Sequence, residues 1–244
     1  MNLRIYAINL DRSVDRWNTL SRRAEVLNIP LVRIPGVDGM KIGTENRVDC
    51  DARAFERNNG RSILSGEYGC YRSHLKALST FLETGEPIGI IVEDDIELSA
   101  ELLSRTEVAI AAVPGIDAIK LFNHRIVGFK CVATSAAGDD IGRAAHGPQV
   151  SAACYAVTRA GAEKLLKGLR TMEYPWDIAL ERGWASGAQI YTTRKDVVIS
   201  SRDATTIASR SVYRTSKFPW WKRLRTHGIR IIETLRRIAY ARNG

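Results

Sequence analysis

The sequence predicts an α/β domain whose strands are joined by right-handed helical crossovers, followed by a basic helical tail. Three observations carry this. Strand-like apolar runs alternate with helical patterns along most of the first 200 residues, and the run 88–92 is continuously apolar, as a strand buried on both faces is. The charge is also partitioned. Of 244 residues, 36 are Lys or Arg and 27 are Asp or Glu, a formal net charge of +9. Residues 210–244 hold ten of the cations and one acid, Glu233, so the excess lies in the tail and the rest is neutral. We place the boundary at 205, with the domain over 1–205 and the tail over 206–244. At 45% hydrophobic and 26% charged, the composition excludes a disordered or collagen-like chain. A neutral body argues against a nucleic-acid-binding face there and leaves that reading open for the tail.

Residues 3–10 are mostly apolar, a first strand. Ser13 stands where it can cap a helix over 14–28, in which Val14, Trp17, Leu20, Ala24 and Leu27 recur at three- and four-residue spacing. The stretch 30–34 reads as a second strand and Pro35-Gly36-Val37-Asp38-Gly39 as a turn. Residues 40–63 are weakly patterned, a variable loop with one short helix. Ser65 opens a stronger helix, striped by Tyr68, Tyr71, Leu75, Leu78 and Leu82 and closed by Gly85. After the buried parallel strand at 88–92 come a helix over 99–112 and a short strand over 117–122. Residues 123–149 read as irregular. A strand over 151–157, helices over 160–169 and 176–182, and late strands at 189–193 and 197–200 complete the domain.

Cys50, Cys70, Cys131 and Cys154 lack the spacing of a zinc site or redox pair, so reduced, mostly buried thiols in a reducing compartment are expected. The N-terminal apolar stretch is too short for a signal peptide, and no window approaches the roughly 18 apolar residues of a membrane span. The expected location is cytoplasmic.

The strongest chemical signal is Glu93-Asp94-Asp95 directly after the buried strand. Ligands of open α/β sheets sit beyond that end of the strands. Side chains alternate, so Glu93 and Asp95 share a face and Asp94 opposes them. Adjacent carboxylates repel unless a cation or donors offset them, and a hard divalent ion suits such a set. The other reading is a solvated acidic turn. Asn9-Leu10-Asp11-Arg12-Ser13 with Arg16 brings two guanidinium groups to a helix start, where they can meet a phosphate or remain surface arginines. Glu67, Cys70 and His74 share a helical flank; His74 reads as a packed residue, and metal ligation by Cys70 and His74 has no paired motif behind it. Asp177, after Pro175 and Trp176, is either a helix cap or a general base.

In order along the chain, Ile8-Asn9-Leu10-Asp11-Arg12-Ser13 with Arg16, Val37-Asp38-Gly39, Ser65 through His74, Ile91-Val92-Glu93-Asp94-Asp95, Ala156 through Leu166 and Pro175-Trp176-Asp177 together resemble glycosyltransferase family 25, the bacterial lipooligosaccharide glycosyltransferases. One departure is Ser151-Ala152-Ala153-Cys154-Tyr155, where relatives often read Gly-Thr-x-Ala-Tyr. The resemblance implies a GT-A-like (Rossmann-like) mixed sheet flanked by helices. It implies inverting transfer of a sugar, usually galactose, from a UDP-sugar donor to a glycan or lipid-linked glycan acceptor of the cell envelope, with Mn²⁺ or Mg²⁺. Within that reading we expect the metal on Glu93 and Asp95, the donor on Asn9, Leu10, Arg12, Arg16, Asp38, Gly39, Ser73, His74 and Asp94, and the base to be Asp177, with Glu67 second. A catalytically inactive nucleotide-sugar-binding relative, a nucleic-acid-binding protein using the basic tail, and a nucleotide-sugar hydrolase are the alternatives.

In the tail, Trp220, Trp221, Leu224, Gly228, Ile231, Ile232, Leu235, Ile238 and Ala239 follow helical spacing, with arginines mainly between them. Residues 217–240 therefore suit an anionic membrane surface, on the inner face of the cytoplasmic membrane, or packing on protein. No nucleic-acid partner is expected.

Overall fold

Alternation along the central strands divides the interior into two apolar cores, one on each side of a sheet. The computed structural model describes residues 3–200 and 210–243. The chain begins with β1 (Arg4–Asn9), α1 (Val14–Val26) and β2 (Leu31–Pro35), then α2 (Ala52–Asn59), α3 (Ser65–Glu83) and β3 (Ile88–Glu93). After β4 (Ile96–Glu97) come α4 (Leu102–Ala111), β5 (Ala118–Lys120), the hairpin β6 (Val127–Thr134) and β7 (Asp140–His146), β8 (Cys154–Thr158) and α5 (Arg159–Gly168). The short helices α6 (Trp176–Leu180) and α7 (Gly183–Ser186), the strands β9 (Ile190–Thr193) and β10 (Ile199–Ser200), and the helices α8 (Arg210–Thr215) and α9 (Leu224–Arg242) follow. Among the described residues these form an eight-stranded sheet in the order β2-β1-β3-β8-β5-β9-β7-β6, while β10 pairs with β4.

On one face Ile5 and Ala7 of β1, Ile90 and Val92 of β3, and Cys154 and Ala156 of β8 pack against α1 and α4. On the other, Tyr6, Ile91, Tyr155 and Val157 pack against Tyr71, Leu78 and Phe81 of α3, Leu165 of α5 and Trp176 of α6. The expected mixed α/β sheet flanked by helices, with a C-terminal helix, is therefore present. β3 pairs parallel with β1 but antiparallel with β8, so it is parallel on one side only.

Three local expectations are corrected. Residues 123–149 contain the hairpin β6–β7; its outer strand is largely exposed, so it lacks the apolar alternation that marks buried strands. The pairing slips between Cys131 and Ala133, a bulge. Ser13 stands at the N-cap of α1 without a capping hydrogen bond from its side chain; instead its carbonyl accepts one from Asn9 Nδ2 at 3.0 Å. The four cysteines are free thiols, but Cys131 is exposed.

α3 is held against the turn after β2 by two glycines. A Cβ on Gly39 would lie 1.9 Å from the Ser65 carbonyl oxygen, and one on Gly69 would lie 2.4 Å from that of Val37. Ser73 locks the contact: its Oγ donates to the Gly69 carbonyl at 2.7 Å and accepts from the Val37 N–H at 2.8 Å.

α9 lies along β7 and α2. Arg237 Nη1 reaches Glu181 Oε2 at 2.7 Å, and Arg182 Nε reaches Glu233 Oε2 at 2.6 Å. Glu181 also takes Lys120 Nζ at 3.0 Å and the N–H groups of Gln149 and Val150, both at 2.9 Å, in a site where both Lys120 and Glu181 are almost wholly buried. The basic tail is thus joined to the neutral body through charged groups.

Gly69→Ala is expected to lower stability by about 1–3 kcal/mol, since backbone must move to admit the methyl group. Gly228→Ala in α9, with open space around its Cβ, is expected to gain up to about 1 kcal/mol. Denaturant unfolding of both variants checks this.

Candidate active site

From β1 the chain passes through α1 to β2 on one side, while β3 lies on the other side of β1. A crevice opens beyond the carboxyl ends of two parallel strands whose connections diverge, the usual ligand position in α/β sheets. Asn9, buried at the end of β1, is the node of this corner. Its Oδ1 accepts from Arg33 Nε at 2.9 Å and Nη2 at 2.8 Å, and its Nδ2 donates to Asp94 Oδ2 at 2.7 Å.

The acidic triplet separates as the alternation requires. Asp94 turns toward α1, where Arg16 Nη1 adds a second contact at 3.1 Å. Glu93 turns toward α3, with its Oε1 3.3 Å from His74 Nε2. His74 is fixed on its other sides: Nδ1 lies 3.2 Å from the Tyr155 hydroxyl, and the ring stacks on Trp176 with centroids 5.0 Å apart. Asp95 has a buried Oδ1 without a hydrogen-bond partner among the described residues. Burial, then the neighbouring Glu93 charge, pushes the Asp95 carboxyl up to about 6.

Two clefts meet here. The first is lined by Leu10, Arg12, Asp38, Gly39, Met40, Ser73, His74, Glu93 and Asp94. The second is lined by Arg61, Glu67, Glu93, Asp95, Ser151, Trp176, Asp177 and Tyr213. Glu93 and Cys70 border both. The structure therefore gathers most of the expected residues, but with different freedom. Arg12 is ion-paired with Asp38, which holds the Asp38 carboxyl below the usual range. Asn9, Arg16 and Ser73 serve the framework: the first two brace Asp94, and Ser73 fastens the turn.

Glu67 is bound by both Arg61 guanidinium nitrogens and also accepts from the Leu64 N–H at 3.1 Å, which closes the first turn of α3. Asp177, in the first turn of α6, accepts from the Ile178 N–H at 2.9 Å. Burial first, then the Glu181 charge, pushes its carboxyl up to about 6. Of the two carboxylates proposed as base, Asp177 alone lacks a guanidinium partner among the described residues.

Cys70, His74 and Glu93 could also gather around one metal ion, their ligand atoms lying within 4.8 Å of one another. Burial and surrounding carboxylates raise the Cys70 thiol well above its usual pKa, which disfavours the thiolate a soft metal needs. Glu93 and Asp95 instead offer oxygens, and the partnerless Asp95 Oδ1 fits a hard divalent cation.

Sequence reasoning missed Arg61 and Tyr213. Arg61 lies in an unpatterned loop. Tyr213 comes from α8, far along the chain, and its hydroxyl lies 3.4 Å from Glu67 Oε1. It noted Ser151 only as part of a departure from relatives and missed Val150; the two line the second cleft with φ angles of 61° and 68°, strained for such residues.

A strand-end acidic cluster facing two clefts places the chain among α/β proteins built to take a ligand across a switch point. Residues 2–180 match the model of glycosyltransferase family 25 (LPS biosynthesis protein), and the chain belongs to that family. Over 96 residues, 38% of the chain, it is 26% identical to a glycosyltransferase 25 family member of Anopheles gambiae. Over 97 residues it is 29% identical to one of Drosophila melanogaster. The match covers 16% of each of those proteins. A crystal structure of a glycosyltransferase involved in glycosylation of the major capsid of PBCV-1 aligns over 95% of this chain and 100% of its own, with a TM-score of 0.39 and 8% identity.

A carboxyl raised on folding favours the folded state while protonated and loses that contribution as pH rises through about 6. Asp177→Asn is therefore expected to have a higher Tm than the parent at pH 7.5, with the difference vanishing toward pH 4. Thermal melts across that range check it.

Proposed function

We propose that the protein is a glycosyltransferase that moves a hexose, with galactose the first to test, from a UDP-sugar to a hydroxyl of a cell-envelope glycan, with inversion. One observation carries this reading. Asp95 and Asp177 line the same cleft, each with a carboxyl pushed up to about 6, and Glu93 joins that cleft to the crevice at the switch point. Perturbed carboxylates brought to one cleft, one from beyond the end of β3 and one from the first turn of α6, are the pattern of a reactive site.

In this reading the nucleotide lies in the first cleft, against Leu10 and the Arg12–Asp38 pair. The sugar points past Glu93 into the second. Glu93 and Asp95 are the residues to hold Mn²⁺ or Mg²⁺, which supplies charge compensation for a departing diphosphate. His74, set by Tyr155 and Trp176, fixes the direction of Glu93. Asp177 takes the proton of the acceptor hydroxyl as that oxygen bonds to the sugar carbon and the bond to UDP breaks. A single displacement of this kind needs no enzyme nucleophile, and inverts the centre. Glu67, neutralised by Arg61, shapes the acceptor side.

The first test is transfer from UDP-galactose with Mn²⁺ to a glycan acceptor, with product analysis when the acceptor is omitted. Release of free sugar at the same rate without acceptor would make the protein a hydrolase instead. Asp177→Asn is expected to lower kcat by about 10²–10⁴-fold while UDP-sugar binding persists, since proton transfer is worth roughly that much. In the parent, kcat/KM is expected to fall as pH drops below about 6, where the base is protonated. Asp95→Asn is expected to lose the stabilisation that UDP and Mn²⁺ together confer in a thermal shift. Full metal-dependent transfer by that variant would remove Asp95 from the metal site.

A further inference from the structure

We propose that α9 and the turn before it dock in the plane of an anionic lipid surface, with the helix side facing away from the body buried among the lipids. This rests on how α9 packs and not on the catalytic reading. The helix is laid the opposite way from an ordinary surface helix, which turns its apolar stripe inward. Its inner side is held mainly by polar groups, beside the buried Ala241 and half-buried Ile229: Thr226 Oγ1 donates to the Arg57 carbonyl at 2.9 Å, Tyr240 Oη donates to that of Ala188 at 2.8 Å, and Glu233 and Arg237 make the ion pairs described above. At 3.6 residues per turn these inward groups occupy one side, and Leu224, Ile231, Ile232 and Leu235 fall within an arc of roughly 100° on the other. Those four are exposed to 62%, 64%, 51% and 62%. Trp220 and Trp221, in the turn leading into the helix, are 66% and 57% exposed and extend the patch. A contiguous apolar patch of this kind marks a contact surface.

Charge selects the occupant. Residues 217–242 carry eight cations and one acid, and that acid, Glu233, is already paired with Arg182 and Arg236. Arg225 and Arg236 sit at the flank of the apolar arc, where long side chains can reach lipid phosphates while the stripe is buried. A second copy of the same face would bring like charges together. Indoles at one end suit the headgroup level. No helix among the described residues is long and apolar enough to cross a membrane, so the contact runs along the surface.

The test uses the full chain with vesicles of phosphatidylethanolamine and phosphatidylglycerol, and with phosphatidylcholine vesicles as the neutral comparison. Co-sedimentation is expected to show binding to the anionic vesicles that weakens with salt, little binding to the neutral ones, and a blue shift of tryptophan emission. The double variants Trp220→Ser/Trp221→Ser and Ile231→Ser/Leu235→Ser are each expected to weaken binding about tenfold or more, with an unchanged Tm because these side chains already face water. Arg225→Gln/Arg236→Gln is expected to reduce the salt dependence. Equal binding to both vesicle types, or stripe variants that bind as the parent does, would overturn the proposal. So would a solution dimer that Ile231→Ser/Leu235→Ser dissolves, seen by light scattering without vesicle binding. Transfer to a soluble acceptor is a separate readout, so loss of docking and loss of catalysis are distinguishable.

Discussion

Three consecutive carboxylates cannot end a buried strand unless each finds its own environment. The corner of the molecule is organised around that constraint. Strand alternation sends Asp94 to the α1 side, where Asn9 and Arg16 compensate it, and Glu93 to the α3 side, beside His74. Asp95 is left with one buried oxygen, Oδ1, that has no hydrogen-bond partner among the described residues. Burial and the Glu93 charge outweigh the nearby Arg16, and the raised Asp95 pKa is the form that cost takes. The surrounding features follow from holding this arrangement in place. Asn9 is buried because it must bridge β1 to Asp94, and Ser73 and the two glycines keep α3, with His74 on it, tight against the turn.

The layered α/β architecture was legible because its signals are local and strong: the unbroken run at 88–92, the stripe of α3 and the strand-end acids. The hairpin was not legible because an exposed outer strand lacks apolar alternation. The site was legible as a set of residues but not as a set of roles. Spacing placed Glu67 on the flank of α3 that faces the cleft, but nothing in the spacing showed that Arg61 would occupy both of its oxygens. Nor could it show that Asn9 and Ser73 are spent on the framework, or that Tyr213 would reach the cleft wall from beyond residue 205. The contacts of Asn9, Ser73 and Tyr213 join residues far apart in sequence, and Arg61, although near Glu67, lies in a loop with no pattern to place it.

Glu181 connects the tail to the chemistry. Its two oxygens hold Lys120, Arg237 and the N–H groups of Gln149 and Val150. Val150 and Ser151, strained and lining the second cleft, are thereby anchored by the same carboxylate that anchors α9. Breaking one arm of a buried ionic group typically costs about 3–5 kcal/mol, because the remaining charges stay in the interior. The basic tail, set apart by its charge, is structurally part of the cleft wall's support.

The bulge in the hairpin bears on how the sheet ends. β6 forms one border of the sheet and β2 the other, and a border strand offers free backbone groups to any extended chain nearby. β2 is five residues long and closes with Pro35, which has no N–H to offer. On β6 the slipped register at Cys131 and Ala133 and the charge of Lys130 spoil the flat, even edge that a foreign strand would need. The fold thus protects itself against strand-by-strand aggregation at both margins by different means, one by truncation and one by distortion.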